Sequence, residues 1–183
     1  VRRVTAIEVP TAAAMEGLGR RIGALLRAGD LVVLVGGLGA GKTTLTRGIG
    51  EALRVRGPIT SPTFVLSRVH PPLTGDGPPL VHVDGYRLSG ARELDDLDID
   101  WDGSVAVVEW GEGLLDGVAA AWLRIAIDRP HGADAGPPVG ADEPLEAPSD
   151  EEPVVPRIVS IEGFGARGAE LAALLADGTR APS

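Results

Sequence analysis

The amino-acid sequence predicts an α/β fold, in which helices cover both faces of a mostly parallel central sheet, and three observations support this prediction. Segments with strand-like apolar patterns alternate with segments of helical period along the chain. Leu31–Val35 is apolar throughout, as expected of a strand buried on both faces of a sheet. A glycine-rich loop follows this strand and leads directly into a helical pattern. This alternation is typical of strands that run parallel and are connected through helices.

The first predicted elements are a strand at Thr5–Val9 and a helix over Ala12–Ala28 that ends at Gly29. Thr11 is a good N-cap for this helix, because its hydroxyl can accept a hydrogen bond from a backbone N–H of the first turn. Apolar side chains then recur at helical spacing. A second helix is predicted behind the glycine-rich loop, over residues 43 to about 53.

Most of the later elements are predicted strands, and proline and glycine mark the turns, for example around Pro71–Pro79. The predicted strands are Thr63–Val69, Leu80–Val83, Val105–Val108, Trp122–Ile127 and Arg157–Ile161. A short helix is predicted at Ala91–Leu97 and a closing helix at Ala166–Ala176.

The negative charge of the chain is concentrated in one segment. Residues 131–156 contain seven acids and six prolines but no lysine or arginine, and they lack a hydrophobic period. We therefore predict a disordered acidic loop at 131–156 between a core at 1–130 and a strand and helix within 157–183 that complete the same domain. Of the formal charge of −9, about −2 remains for the rest of the chain. That remainder lacks the basic surface that direct nucleic-acid binding requires.

The composition also indicates in which compartment of the cell the protein is expected. The chain has no cysteine, which excludes disulfides and thiolate metal sites. Its first residues lack the apolar stretch of a signal peptide, and no apolar run approaches the roughly 20 residues of a membrane span. We expect a soluble, cytoplasmic protein.

The glycine-rich loop matches the phosphate-binding pattern G-x-x-x-x-G-K-[ST] at every fixed position. Its residues are Gly36, Gly37, Leu38, Gly39, Ala40, Gly41, Lys42 and Thr43. Glycines let backbone N–H groups approach phosphate oxygens, and the following helix N-terminus adds partial positive charge. The lysine of such a loop reaches the β- and γ-phosphates, and the threonine hydroxyl binds Mg²⁺. The loop predicts a nucleotide site and a P-loop NTPase-like, three-layer α/β/α fold.

Two acidic residues follow predicted strands. Asp84 comes after Leu80–Val83, and Glu109 comes after Val105–Val108. The carboxyl ends of strands are where open α/β sheets place their chemistry. Either acid could hold Mg²⁺ or activate water, and the sequence leaves open which one is the main catalytic acid.

The lysine count bears on the choice of nucleotide. Lys42 is the only lysine among 17 basic residues. The usual guanine-recognition motif, Asn-Lys-x-Asp, needs a lysine outside the phosphate loop, so the sequence disfavours a GTPase of that type. ATP is the expected nucleotide.

Two alternative functions remain open at this point. One is a small P-loop kinase acting on a metabolite, in which Arg124, Arg129 and Arg157 would act as an arginine-bearing lid. The other is calcium binding, because Asp98–Glu109 matches the EF-hand pattern D-x-D-x-D-G-x₅-E. The second is disfavoured, because a β-prone segment stands where an EF-hand needs its second helix.

Four motifs in order resemble the TsaE (YjeE) family of small bacterial ATPases. They are Gly36–Thr44, Ser61–Phe64, His82–Leu88 and Val108–Glu112. The resemblance covers about residues 5–129, and more weakly 157–176.

The resemblance implies a role for each matching residue. Lys42 and the loop from Gly37 to Thr44 hold the phosphates, while Thr43, Glu109 and Asp84 hold Mg²⁺. Lys42, Glu109 and Asp84 are the implied catalytic residues. Further implied contacts to the nucleotide are Thr44, Thr63, Trp110, Thr11 and Arg157.

The resemblance also implies a pathway and partners. The family serves the synthesis of N6-threonylcarbamoyladenosine at position 37 of tRNAs that read ANN codons. A member docks onto a TsaB–TsaD heterodimer, hydrolyses ATP to reset that complex, and has weak activity alone. We expect no direct tRNA binding.

Overall fold

The computed structural model describes residues 4–62, 66–88, 90–111, 113, 119–129 and 156–177. In these ranges the helices are α1 (Ala12–Gly23), α2 (Lys42–Ala52), α3 (Ala91–Asp95) and α4 (Gly165–Asp177), with a 3₁₀ turn at Gly85–Arg87. The strands are β1 (Val4–Val9), β2 (Leu31–Val35), β3 (Ser67–His70), β4 (Leu80–Asp84), β5 (Val105–Glu109), β6 (Trp122–Asp128) and β7 (Arg157–Phe164).

The strands of the described part form one sheet in the order β1-β7-β6-β2-β5-β4-β3. β6, β2, β5 and β4 pair in parallel at its centre. β3 and β7 run the other way, and β1 is antiparallel to β7. Five of the seven strands in the described ranges therefore share one direction. The predicted α/β fold with a mostly parallel sheet is confirmed.

Two apolar layers enclose the sheet. The larger layer lies between the sheet and the helices α1, α2 and α4. Its buried side chains include Leu34 and Ile125 of the sheet and Leu45 of α2. The smaller lies on the opposite face, where Leu94 of α3 covers Val83 and Val108. β2, β4 and β5 contribute residues to both layers, which explains why their sequences are apolar almost throughout.

The backbones of α1 and α2 approach each other closely at two glycines. A Cβ atom on Gly48 would lie 2.1 Å from the carbonyl oxygen of Glu16, and one on Gly19 would lie 2.2 Å from that of Leu45. No side chain fits in either gap. This contact fixes α2, and with it the phosphate-binding loop at its N-terminus, against α1.

Several predicted element boundaries differ from the observed ones, most clearly at the end of α1. α1 ends at Gly23 instead of Ala28, because the chain turns through tighter hydrogen bonds, from Leu25 N–H to the Ile22 carbonyl and from Leu26 N–H to the Gly23 carbonyl. Leu26 is nevertheless buried, which accounts for the extended apolar pattern. In the predicted strand Thr63–Val69, residues 63–65 lie outside the described ranges, and strand pairing starts at Ser67.

The C-terminal strand β7 belongs to the same sheet as the earlier strands, since it pairs with both β1 and β6. Arg167 of α4 attaches this region to the loop before β2, donating to Asp30 at 2.8 Å and to the Leu25 carbonyl at 2.9 Å. Within the described ranges, none of the helices has the length and apolar character that crossing a membrane requires. Most of the predicted acidic loop at 131–156 lies outside the described residues.

Candidate functional site

A cavity of about 600 Å³ opens at the carboxyl ends of the parallel strands β2, β4 and β5. The phosphate-binding loop forms one wall and the ends of β4 and β5 form the other. The lining residues are Leu38, Gly39, Gly41, Lys42, Thr43, Thr44, Ser61, Asp84, Tyr86, Glu109 and Trp110. The loop and both strand-end acids predicted from the sequence thus surround one cavity.

The loop backbone depends on glycine at two positions. Gly39 has φ of 72° and Gly41 has φ of 113°, values that residues with a Cβ rarely adopt. Gly41 is the N-cap of α2, and the described part of the chain shows no side-chain cap hydrogen bond at this helix N-terminus. The first turn of α2 also contains no acid. The positive end of the helix therefore faces the cavity without a capping acid from its own first turn, and its backbone N–H groups favour binding of phosphate.

Lys42 is held inside the loop with only 5% of its surface exposed. Its Nζ donates hydrogen bonds to the carbonyls of Gly36 at 2.8 Å and Gly37 at 3.0 Å. The indole ring of Trp110 lies 4.0 Å from the same nitrogen. Burial lowers the pKa of this ammonium group, while the Glu109 and Asp84 carboxylates act in the opposite direction. The result is a fixed cation between the loop and the two acids.

Glu109 connects the end of β5 with the start of α2. Its Oε1 accepts a hydrogen bond from Thr43 Oγ1 at 3.1 Å and lies 2.8 Å from His82 Nε2. Only 3% of Glu109 is exposed. This carboxylate is therefore positioned by contacts from two other elements.

Asp84 is directly beside Glu109 in the sheet, because these two residues are register partners of β4 and β5. Asp84 is buried, and its Oδ1 accepts a hydrogen bond of 3.0 Å from the backbone N–H of Tyr86. That bond caps the short 3₁₀ turn after β4. The two strand-end acids thus stand side by side, with different hydrogen-bond partners.

Two aromatic rings form one side of the cavity. Trp110 and Tyr86 contact each other edge to face, with 5.5 Å between ring centroids. Trp110 has φ of 59°, a conformation that is uncommon for a bulky residue and occurs at functional sites. Tyr86 is 69% exposed.

Sequence reasoning assigned no role to Tyr86, Ser61 or His82. Tyr86 and Ser61 line the cavity, and His82 contacts Glu109. For His82 a signal was present, because it precedes Asp84 by two positions and side chains two apart in a strand share a face. Its contact with Glu109 additionally requires that β4 and β5 be neighbours.

Thr11 and Arg157 lie at a second, smaller cavity of about 70 Å³ behind the loop. Gly39, Ala40, Gly41 and Thr44 complete its lining together with Ala12 and Met15. The Thr11 hydroxyl accepts a hydrogen bond from the Ala14 N–H at 3.0 Å, as predicted for an N-cap. Both predicted contacts are therefore adjacent to the phosphate loop, while Thr63 is outside the described residues.

The structure argues against calcium binding in the Asp98–Glu109 segment. Glu109, the twelfth position of the EF-hand pattern, ends a buried strand and points to Thr43 and His82. The exposed Asp100 instead accepts a hydrogen bond from the Gly103 N–H at 3.0 Å. The acids of the pattern are therefore not arranged around one ion.

Arg124, one of the arginines considered for a kinase lid, belongs to the sheet. It lies within β6, and its guanidinium group is 3.8 Å from Glu162 on the paired strand β7. Arg157 begins β7 at the smaller cavity. Neither residue is on a segment that could close over the larger cavity.

The family model and the similar sequences all point to one protein family. A family model described as threonylcarbamoyl adenosine biosynthesis protein TsaE matches residues 9–134. The tRNA threonylcarbamoyladenosine biosynthesis protein TsaE of Streptomyces coelicolor is 64% identical over 124 residues, covering 66% of this chain and 83% of that protein. The TsaE protein of Mycobacterium tuberculosis is 50% identical over 125 residues, covering 64% of this chain and 74% of that protein.

A solved structure has the same fold. The crystal structure of Bacillus subtilis YdiB aligns with a TM-score of 0.67 and 24% identity, over 98% of this chain and 99% of that one. The resemblance inferred from the four sequence motifs is confirmed by the family model and by the relatives. The chain belongs to the TsaE family of threonylcarbamoyl adenosine biosynthesis proteins.

Proposed function

We propose that this chain binds ATP with Mg²⁺ at the Gly36–Thr43 loop and hydrolyses it to ADP and phosphate. The observation that carries the proposal is the convergence of Lys42, Thr43, Asp84 and Glu109 on one cavity at the N-terminus of α2. A cation, a hydroxyl and two carboxylates beside a helix N-terminus are the groups that phosphoryl transfer to water requires.

The two cavities suggest how the nucleotide lies. The phosphates would occupy the larger cavity, held by the loop N–H groups from Gly37 to Thr44 and by Lys42. The smaller cavity at Thr11 and Arg157 would border the nucleoside end, since it lies on the other side of the same loop. Trp110 would contact the nucleotide from the opposite wall.

The residues present fit a Mg²⁺ ion. Mg²⁺ is usually bound through one or two carboxylates together with substrate phosphates and water, and P-loop proteins add the hydroxyl of the loop threonine. Thr43 Oγ1 lies 3.1 Å from the Glu109 carboxylate, and Asp84 is the register partner of Glu109. Thr43, Glu109 and Asp84 would hold the ion, which would neutralise charge on the phosphates.

In the proposed hydrolysis, a water molecule attacks the γ-phosphorus and the bond to the β–γ bridging oxygen breaks. Glu109 or Asp84 orients this water and accepts its proton, and ADP leaves with its charge balanced by Lys42. Glu109 is the better candidate for this role, because its carboxylate lies at the start of α2, 3.1 Å from Thr43 Oγ1 of the phosphate-binding loop.

The relatives named for tRNA threonylcarbamoyladenosine biosynthesis suggest the biological setting. We propose that the chain is the accessory ATPase of a TsaB–TsaD heterodimer that makes N6-threonylcarbamoyladenosine at position 37 of ANN-decoding tRNAs. We expect weak ATP turnover by the chain alone and no direct binding of tRNA by the chain.

The proposal is tested by measuring ATP turnover with and without purified TsaB and TsaD. We expect slow turnover alone and a clear change when both partners are present. Partners that neither bind nor alter turnover would contradict the pathway assignment. Transfer of the γ-phosphate to an added small molecule would instead identify a kinase.

A further inference from the structure

His82 is a fully buried histidine directly beneath the acids of the site. Its side chain has 0% exposure, and its Nε2 lies 2.8 Å from Glu109 Oε1. It precedes Asp84 by two positions on β4 and pairs in register with Val107 of β5. Its imidazole therefore reaches Glu109 diagonally across the two strands, on the face that carries the site.

The direction of this hydrogen bond follows from the chemistry of the partners. A carboxylate oxygen is an acceptor, so His82 Nε2 carries the hydrogen and donates it. The same Oε1 also accepts from Thr43 Oγ1 at 3.1 Å. Both hydrogen bonds that the described residues donate to this carboxylate thus end on Oε1, which leaves Oε2 for other ligands.

Packing alone does not explain a histidine at this position. Its Nδ1 is buried, and no hydrogen-bond partner for it is present in the described part of the chain. Burying an unpaired polar atom is unfavourable, and an apolar residue of similar size would avoid that cost. The hydrogen bond from His82 Nε2 to Glu109 is the contact that an apolar residue of similar size could not make.

We propose that His82 is a positioning residue, which holds the Glu109 carboxylate in the orientation needed for Mg²⁺ and the attacking water. The inference rests on the proposed function, because the orientation of Glu109 matters only if Glu109 serves Mg²⁺–ATP chemistry. Without the donor, Glu109 would be tethered by Thr43 alone and could rotate away from the cavity.

Three variants test this role. His82→Leu removes the donor at similar volume, and His82→Gln keeps an N–H donor at nearly the same reach as Nε2. His70→Leu is the matched control, because His70 is a buried histidine on the neighbouring strand β3 that faces the Arg56 carbonyl instead of the site. For each variant, kcat and KM for ATP are measured, together with ADP affinity in Mg²⁺ and in EDTA.

Positioning partners of metal-binding carboxylates typically contribute about 10- to 100-fold to activity or metal affinity, and we expect a loss of this size in kcat for His82→Leu. The gain in ADP affinity on adding Mg²⁺ should shrink in parallel. Affinity in EDTA should stay within about threefold of wild type, since the loop N–H groups and Lys42 are untouched. His82→Gln should recover most of the loss, and His70→Leu should resemble wild type.

Two results would overturn the role: His82→Leu with wild-type kcat and Mg²⁺ response, or His82→Gln no better than His82→Leu. If His82→Leu does not fold, His82→Gln is compared with the shorter His82→Asn, and equal kcat values would contradict positioning. A wild-type protein that neither binds nor hydrolyses Mg²⁺–ATP would refute the proposed function itself. A wild-type ATPase matched by His82→Leu would refute only the role of His82.

Discussion

Thr43 Oγ1 donates a hydrogen bond of 3.1 Å to Glu109 Oε1, although 66 positions separate the two residues in the chain. Thr43 is the second residue of α2, and Glu109 is the last residue of β5. The bond therefore connects the phosphate-binding loop to the acidic edge of the sheet. In the proposed enzyme, these are the two parts that share the Mg²⁺ ion.

Substitution of Thr43 should separate nucleotide binding from Mg²⁺ binding. Thr43→Val keeps the shape but loses the hydroxyl, so the gain in nucleotide affinity on adding Mg²⁺ should fall by about one order of magnitude or more. Affinity in EDTA should change little. Calorimetric titration with ADP, with and without Mg²⁺, measures both values. Thr43→Ser keeps the hydroxyl and serves as the control; a Mg²⁺ response in Thr43→Val equal to that of Thr43→Ser would rule out this ligand.

The two acids should differ in their effect on hydrolysis. Glu109→Gln removes the charge while keeping the size, and we expect kcat to fall by about 100-fold or more, as for loss of a general base. Asp84→Asn should reduce kcat less, because Asp84 also caps the turn at Tyr86 and its amide could keep that hydrogen bond. Steady-state phosphate release measures both. The reverse order of the two effects would assign the main catalytic role to Asp84.

Lys42 can be monitored through its own amine, because it is the only lysine of the chain. Burial lowers its pKa from the ordinary value of 10.5, so the reactive neutral amine forms at a lower pH than in an exposed lysine. Its labelling by an amine-directed reagent, followed by peptide mass spectrometry, should therefore rise at lower pH than labelling of a free lysine peptide. Bound ATP should slow the reaction, because phosphates stabilise the charged form. Labelling unaffected by saturating ATP would argue against contact between Lys42 and the nucleotide.

His70 should make the fold sensitive to acid. Burial lowers the pKa of its imidazole below the ordinary value of 6.5, so the unfolded chain binds the proton more readily than the folded chain. Its contribution to stability is then complete above pH 6.5 and is lost as the pH falls towards the folded pKa. Melting temperatures between pH 8 and pH 5 should fall more steeply for wild type than for His70→Gln. Equal slopes would show that His70 does not titrate in this range.

The glycine contact between α1 and α2 predicts a stability effect. Gly48→Ala would place a methyl group 2.1 Å from the Glu16 carbonyl oxygen, and we expect a loss of about 1–3 kcal/mol from overpacking. Gly17→Ala is the control on α1, since its Cβ would meet nothing closer than 3.9 Å. That change should be neutral or stabilising by up to about 1 kcal/mol, because alanine favours helices. Urea unfolding compares the two, and an equal cost for both would contradict the close approach.

Much of the site could be predicted because its residues follow local rules. The phosphate loop is a contiguous pattern, and Gly39 and Gly41 within it have positive φ values that glycine adopts readily. Asp84 and Glu109 follow apolar runs, and parallel strands bring their carboxyl ends to one edge. Both predictions need only the neighbouring sequence and the rule that open sheets carry their chemistry at that edge.

Other features depend on contacts that no local pattern encodes. The pairing of β7 with β1 joins residues that are as many as 158 positions apart, as in Val4 opposite Glu162. The contact of His82 with Glu109 requires the strand order to be known. The end of α1 was missed because the apolar pattern continues to Leu26, whose burial does not depend on a helical backbone.

The central claim, that the Gly36–Thr43 loop binds ATP with Mg²⁺, is tested most directly by calorimetric titration of wild type and Lys42→Ala with Mg²⁺–ATP. The proposal predicts one saturable site per chain in wild type and a strong loss of affinity in Lys42→Ala, with both proteins folded by circular dichroism. Absence of binding to wild type, or equal affinity in Lys42→Ala, would contradict it.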